Sequence, residues 1–346
     1  TLHKPYGHTF DLVTIGYKGL LKEEQQGSIH IYRVPCKRSK KELCTTPEML
    51  SYLIPAFLKA EQLVLTKKYD LAHVHFILPT GNLAVALKLL NHLPYIISTH
   101  GSDLPGYNPD RFKLLHVLLK PIWSFFIRNA KIVLTPSESL RSLLLRSWKG
   151  SPNKVKSIHW GIDIPPAPAK KVNRILFAGR LFERKGAQYL IEAVKILKLK
   201  DWDVTIVGDG PMRATLEKQA KGFPNITFTG WLPREKLQKL YATSKIFVFP
   251  STAESFGMVI AEAMAAEMAV ITSNDSACPE VVGDAGILVP PKNAQKIADA
   301  LKTLIANPAE IARLGKAARK RVLDKFTWAQ CAKEYHSLYQ TFSRKR

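Results

Sequence analysis

Cysteine is scarce in this 346-residue chain, which has only Cys36, Cys44, Cys278 and Cys331. None stands in CxxC spacing, so the usual zinc and thiol-redox signatures are excluded, and four cysteines are too few to staple a secreted scaffold. They read as free thiols of a reducing cytoplasm. Long apolar runs are missing too. The most apolar stretch, residues 114–127, is broken by Lys120 and Pro121 and falls short of the roughly 18–20 apolar residues that a spanning helix needs. Acidic residues are in deficit: 28 Asp and Glu against 51 Lys and Arg leave a formal net charge of +23. Such a surplus favours anionic partners such as phosphate groups, acidic lipid or nucleic acid, without choosing among them. No nucleic-acid-binding motif accompanies it, so we expect no nucleic-acid partner. The third glycine of a GxGxxG fingerprint is absent after Gly208-Asp209-Gly210, which argues against a dehydrogenase.

What is present is ordinary globular material, 46% hydrophobic and 23% charged, of a length that suggests two domains. Short β-branched runs alternate with helical patterns, the rhythm of βαβ units and parallel sheets. In the first half the predicted strands are 12–15, 29–34, 71–76, 95–99 and 131–134, with helices over 47–66 and 81–90. In the second half they are 175–178, 204–207, 226–228, 246–249, 269–272 and 286–289, with helices over 187–197, 257–266 and from 293 onward. Ala187, Leu190, Ile191 and Val194 repeat at helical spacing. Pro165, Pro166 and Pro168 cannot continue a helix or a central strand. The expected organisation is therefore a first domain over 1–164, a linker over 165–171, a second domain over 172–325, and a tail over 326–346. The fold class is α/β. Ligands of such sheets bind at the carboxyl ends of strands, which places the expected site in a cleft between the two domains.

One segment carries the strongest chemistry. A strand ends at Pro250, a short loop holds Glu254, and a helix begins near Ser255, Phe256 and Gly257 and continues through Met258 and Val259. Amides at a helix start lack intrahelical acceptors, and with the helix dipole they suit a pyrophosphate. Glu254 can accept hydrogen bonds from sugar hydroxyls, and Glu262, about two turns into the helix, from a second polyol such as ribose. Two glutamates taken alone are more often a helix-start residue and an exposed helical one. Their context changes that balance.

The run E-S-F-G-M-V-I-A-E resembles the EX7E motif of retaining GT-B glycosyltransferases of the GT4-like group, and Gly179-Arg180 with Lys185 resembles the donor-phosphate grip of the same enzymes. Further matches follow in family order: Gly208-Asp209-Gly210, Thr229-Gly230-Trp231 and Pro279-Glu280. The resemblance implies two Rossmann-like domains facing across a cleft, Arg180 and Lys185 on the donor phosphates, and Thr229, Gly230 and Trp231 beside the base. For Gly208 and Gly210, turn geometry and ligand contact are equally good explanations. His100-Gly101-Ser102-Asp103 resembles the H-G-x-D loop of the group, which implies that His100 touches the transferred sugar; Asp103 is a further candidate. Asp201-Trp202-Asp203 spells the DxD of another, metal-dependent architecture, but at the start of a strand it faces away from the ligand end. The expected set contains no metal and no cofactor beyond the nucleotide-sugar substrate.

The resemblance begins late. Gly7-His8-Thr9-Phe10 matches the second strand of the group, so the first βα unit with its Gly-Gly loop is expected to be missing. Basic residues beside apolar ones, at 37–41 and 111–126, suit an anionic membrane surface presenting a lipid-linked or cell-envelope glycan acceptor. The corresponding location is cytoplasmic, at the inner face of the cytoplasmic membrane. Competing readings are a nucleotide-sugar epimerase on the same fold and a non-catalytic sugar-nucleotide-binding subunit.

Overall fold

A computed structural model of the chain describes residues 6–38, 45–107, 113–166 and 169–342. Cys44 and much of the predicted basic clusters, residues 39–41 and 111–112, lie outside them. The chain divides into two compact units, one of residues 1–136, 141–158 and 332–346, the other of 137–140 and 159–331.

The first unit opens with β1 (Phe10–Ile15), β2 (Glu23–Gln26) and β3 (Ile29–Val34), then α1 (Thr46–Ser51) and α2 (Leu53–Thr66). The single helix predicted over 47–66 is thus two, parted at Tyr52. Next come β4 (Ala72–His75), α3 (Gly81–Asn91), β5 (Tyr95–Ser98), α4 (Lys113–Asn129), β6 (Val133–Thr135), α5 (Glu138–Trp148) and β7 (Val155–Ser157). These strands form two sheets, β1-β3-β2 and the parallel β4-β5-β6-β7. Among the described residues β1 pairs only with β3 and β4 only with β5, so each keeps one edge without a strand partner.

The second unit runs β8 (Val172–Ala178), α6 (Ala187–Leu197), β9 (Asp203–Val207), α7 (Arg213–Gln219), β10 (Ile226–Gly230), α8 (Arg234–Thr243), β11 (Ser244–Phe249), α9 (Met258–Ala265), β12 (Ala269–Ser273), α10 (Cys278–Val282), β13 (Ile287–Val289), α11 (Ala294–Ala306) and α12 (Pro308–Lys325). The last helix, α13 (Trp328–Phe342), begins in this unit and groups with the first from Ala332 onward. In this division residues 159–164 group with the second unit, and residues of the expected linker are fastened within it. Arg319 donates to the Pro165 carbonyl (3.1 Å), and the Lys171 ammonium to the carbonyls of Ser244 (2.9 Å) and Ala266 (2.8 Å).

All six strands of the second unit are parallel, in the order β10-β9-β8-β11-β12-β13. Parallel strands covered on both faces need near-continuous apolar runs, and Ile175–Ala178 and Ile246–Phe249 supply them, with Phe177, Phe247 and Phe249 almost wholly buried. Each such side chain contributes roughly 1.5–3 kcal/mol of burial. Ala187, Leu190, Ile191 and Val194 of α6 face the same core, as their spacing predicts. Chain order reverses between β8 and β11, and a crevice opens at the carboxyl ends of the strands at such a switch point. Among the described residues no helix is long and apolar enough to cross a membrane.

Candidate functional site

The loops that leave β8 and β11 meet at that switch point. After β8 the chain makes a short 3-10 turn, Glu183–Lys185, and enters α6 through Gly186 at φ +81°. A Cβ at Gly186 would collide with the Pro250 carbonyl oxygen, so glycine is required on two counts. The close approach lets the Thr252 amide donate to the Arg184 carbonyl (2.8 Å) and ties the two loops together. Lys185 then reaches across: its ammonium pairs with the Glu254 carboxylate and also donates to the Ala253 carbonyl (3.3 Å). The Glu254 amide donates to Ser276 Oγ (3.0 Å), while Ser137 Oγ donates to the Ser255 carbonyl (2.6 Å). Both serines were absent from the sequence expectation, because serines far apart in the chain carry no pattern that marks a loop brace.

Gly257, at φ +96°, turns the chain into α9, accepting from the amides of Ile260 (2.9 Å) and Ala261 (3.2 Å). The amides of Gly257, Met258 and Val259 therefore precede the first helical bond. The side chain of Phe256 is fully buried against Trp160, His159 and Phe326, so any donor contact it makes is through its backbone.

Arg180 sits in the loop between β8 and the 3-10 turn, exposed, and its guanidinium has no ion-pair partner among the described residues. The loop is held from beneath. Gly179 donates its amide to Val207 (3.0 Å) and Leu181 to Asp209 (2.9 Å), and the Met212 amide donates back to Leu181 (2.9 Å). Gly208 and Gly210 have φ of +126° and +159°; a Cβ on Gly208 would run into the Gly179 carbonyl, and one on Gly210 into the Leu181 backbone. Close backbone approach thus accounts for both glycines without a ligand. Thr229 and Gly230 end β10, Gly230 accepts from the Gly208 amide (2.9 Å), and Trp231 beyond them is 76% exposed. Asp203 is the first residue of β9, at the strand end opposite to Gly208. No cluster of metal-ligating side chains occurs among the described residues.

Glu262 is not the exposed helical glutamate of the bland reading. It is partly buried, accepts from the Tyr241 hydroxyl (3.3 Å), and burial pushes its carboxyl above the usual carboxylate range, with Tyr241 and Arg234 pulling back against Asp163. Glu280 goes the other way. Burial favours its neutral form, but His159 and the amides of Glu138 (2.9 Å) and Ser139 (3.2 Å) outweigh burial and hold the carboxyl low. Glu280 is thereby a strut of the α10 segment.

His100 and Asp103 belong to the first unit and are grouped apart from Lys185 and Glu254. Asp103 is buried and accepts the amides of Ile77 (2.9 Å), His100 (3.0 Å) and Gly101 (3.1 Å), so its carboxylate shapes the loop that carries His100. Burial also raises its carboxyl against those bonds. His100 Nε2 lies 3.0 Å from His75 Nδ1, and burial pushes the His100 imidazole down to about 4. It is therefore neutral at pH 7, able to donate from one nitrogen and accept at the other. His75 was missed by the sequence reading; the alternation His73-Val74-His75 in β4 was its only signal.

Two family models match: glycosyltransferase family 4 over residues 2–164 and glycosyl transferases group 1 over 162–321. An uncharacterized glycosyltransferase of Methanocaldococcus jannaschii, MJ1607, is 30% identical over 96% of this chain and 90% of its own length. The Arabidopsis thaliana sulfoquinovosyl transferase SQD2 is 30% identical over 72% of this chain, which spans about half (51%) of that enzyme. The putative teichuronic acid biosynthesis glycosyltransferase TuaC of Bacillus subtilis is 25% identical over 80% of this chain and 71% of its own. Among solved structures, sucrose-phosphate synthase of Thermosynechococcus elongatus superposes with a TM-score of 0.80 at 23% identity, covering 98% of this chain and 90% of that one. Anabaena HepE in complex with UDP-glucose gives 0.73 at 17% identity, covering 96% and 100%. Both carry the GT-B fold with two Rossmann-like domains, and so does this chain.

Proposed function

This chain belongs to the GT4-like glycosyltransferases, and from that membership we propose that it transfers a hexose with retention from a nucleotide-diphosphate sugar to a lipid-linked or cell-envelope glycan. The observation that carries this reading is the meeting of Lys185 and Glu254 at the switch point between β8 and β11, with Arg180 exposed on the adjoining loop. The donor diphosphate lies against the amides at the start of α9 and against Arg180 and Lys185, which supply positive charge in place of a metal ion. Lys185 holds the Glu254 carboxylate where it can accept from a sugar hydroxyl. Glu262 takes the ribose, and Trp231 borders the base.

In the transfer step the acceptor hydroxyl oxygen bonds to the anomeric carbon as the bond from that carbon to phosphate oxygen breaks. The electron pair leaves with the nucleoside diphosphate, whose phosphate oxygen takes the acceptor proton, so no side-chain nucleophile is needed. Charge grows on the leaving phosphate, and fixed cations and amides aimed there favour the transition state over the ground state. Neutral His100 hydrogen-bonds the transferred sugar.

The basic composition and the TuaC relative support this acceptor class. Such an acceptor fits an enzyme working peripherally at the inner face of the cytoplasmic membrane. A thermal-shift screen of UDP-, GDP- and ADP-sugars identifies the donor, because a ligand at about 100 times its Kd adds roughly 2.7 kcal/mol to the native state. With that donor, Glu254→Ala is expected to fold with reduced stability, because it strands Lys185, and to lose transfer by about 100-fold or more at a temperature where it remains folded. Transfer undiminished in a folded Glu254→Ala protein refutes the assignment.

A further inference from the structure

Large apolar side chains stand exposed on neighbouring helices of the first unit. Ile54 (72%) and Leu58 (61%) stand open on α2, Leu89 (68%) and Leu90 (63%) on α3, and Leu118 (66%) and Ile122 (45%) on α4. Ile54 with Leu58, and Leu118 with Ile122, are one helical turn apart and so share a face. Helix α3 packs between the other two. These helices already bury a separate apolar face: Ala56 and Leu63 in α2, Val85 and Leu87 in α3, Trp123 and Phe126 in α4. The exposed set is therefore additional to what the core requires. So many large apolar side chains exposed on adjoining helices mark an interaction site.

Charge selects the partner. Across the three helices Glu61 is the sole carboxylate, and it is bonded to Asn91 (2.8 Å); Lys59 pairs with Glu23 of β2 (3.1 Å) and Lys88 donates to the Asn129 carbonyl (2.9 Å), while Lys120 and Arg128 stand exposed on α4. At the far end of α3 the positive charge is crowded: burial, with Lys88 and Lys131 repelling, holds the Lys154 ammonium below its ordinary range. A second copy of the chain would set two cationic faces against each other. An anionic bilayer offers acyl chains for the leucines and phosphates for Lys120 and Arg128.

We propose that the α2–α3–α4 layer is the docking face for an anionic lipid bilayer. The proposal rests on the membrane-surface part of the reading above and assigns its surface, adding α2 and α3 to the α4 region that the sequence singles out. The full chain is sedimented at low and at high salt with vesicles of phosphatidylcholine alone and of phosphatidylcholine with phosphatidylglycerol. It is expected to bind the anionic vesicles and to be released by salt. The triple variant Leu58→Glu/Leu89→Glu/Leu118→Glu is expected to bind about tenfold or more weakly, with circular dichroism and the donor-induced thermal shift unchanged. Leu323→Glu, on a 47% exposed position of α12, serves as the control and is expected to bind like the parent.

Three outcomes overturn the proposal. If the folded triple variant binds as the parent does, the surface is wrong while membrane association stands. If the parent ignores anionic vesicles at low salt, both fall, although donor binding is untouched. If the parent is a stable dimer that the triple variant dissociates, a second copy covers this face.

Discussion

Lys185 and Glu254 leave only 15% and 10% of their side chains in contact with solvent, so each charge depends on the other. Removing one partner of a buried pair strands the other, whereas replacing both with apolar groups is often nearly neutral. Lys185→Met is therefore expected to cost about 3–5 kcal/mol, read as a lower urea midpoint, and Lys185→Met/Glu254→Leu to recover most of it. A single variant as stable as the parent contradicts the arrangement. Glu254, Arg180 and Lys185 were legible because each belongs to a short motif with fixed spacing. Ser276, Ser137 and His75 were not, because their roles come from residues brought together by the fold. Asp103 illustrates the reverse: it is visible in its motif, but its work, three backbone amides held at one carboxylate, is visible only in three dimensions.

At the scale of elements, the Arg180 loop owes its place to β9 as much as to β8. Gly208→Ala forces a side chain into a backbone at φ +126° and against the Gly179 carbonyl, a strain of about 1–3 kcal/mol. The loop must shift to relieve it, carrying Arg180 along. The variant is expected to fold with a slightly lower melting temperature and to lose most of its donor-induced thermal shift; an undiminished shift separates Arg180 from donor binding. Periodicity made α6 and the buried strands readable. It missed β2, whose Glu-Glu-Gln-Gln sequence has no β-branched residue and is held by antiparallel pairing with β3, and β7, which is only three residues long. The break at Tyr52 escaped for a related reason: the apolar spacing runs through it, and tertiary packing of Tyr52 with Val34 and Ala56 decides where one helix stops.

At the scale of the whole chain, motif order was enough to read the two-domain architecture, but nothing in it foretold a group of aromatic and imidazole rings tying α13 to the strands of the first unit. His73 of β4 bonds to the Tyr339 hydroxyl (2.8 Å) and to Ser98 Oγ (2.8 Å), and stacks on His75, which meets His100. Tyr339 also packs on Phe10 and His8, and His8 lies 2.8 Å from His336. Burial, with some repulsion between the rings, holds the His73 and His8 imidazoles below the ordinary histidine range and His100 at about 4. The sign follows directly. Between an unfolded value of about 6.5 and these lower folded values, the unfolded chain binds more protons, so stability falls as pH drops through that window. Protonating His73 also removes the acceptor nitrogen of a ring that bonds through both of its nitrogens, one of them to α13. The protection factors of amides in residues 332–342, that is, exchange corrected for its intrinsic slowing in acid, are therefore expected to fall as pH drops below about 6.5 and before global unfolding, and the melting temperature to decline over the same range. His73→Gln, which can still hydrogen-bond but cannot take up a proton, is expected to flatten both curves; an unchanged slope in that variant would assign the acid sensitivity to other groups, His8, His75, His100 or carboxylates elsewhere.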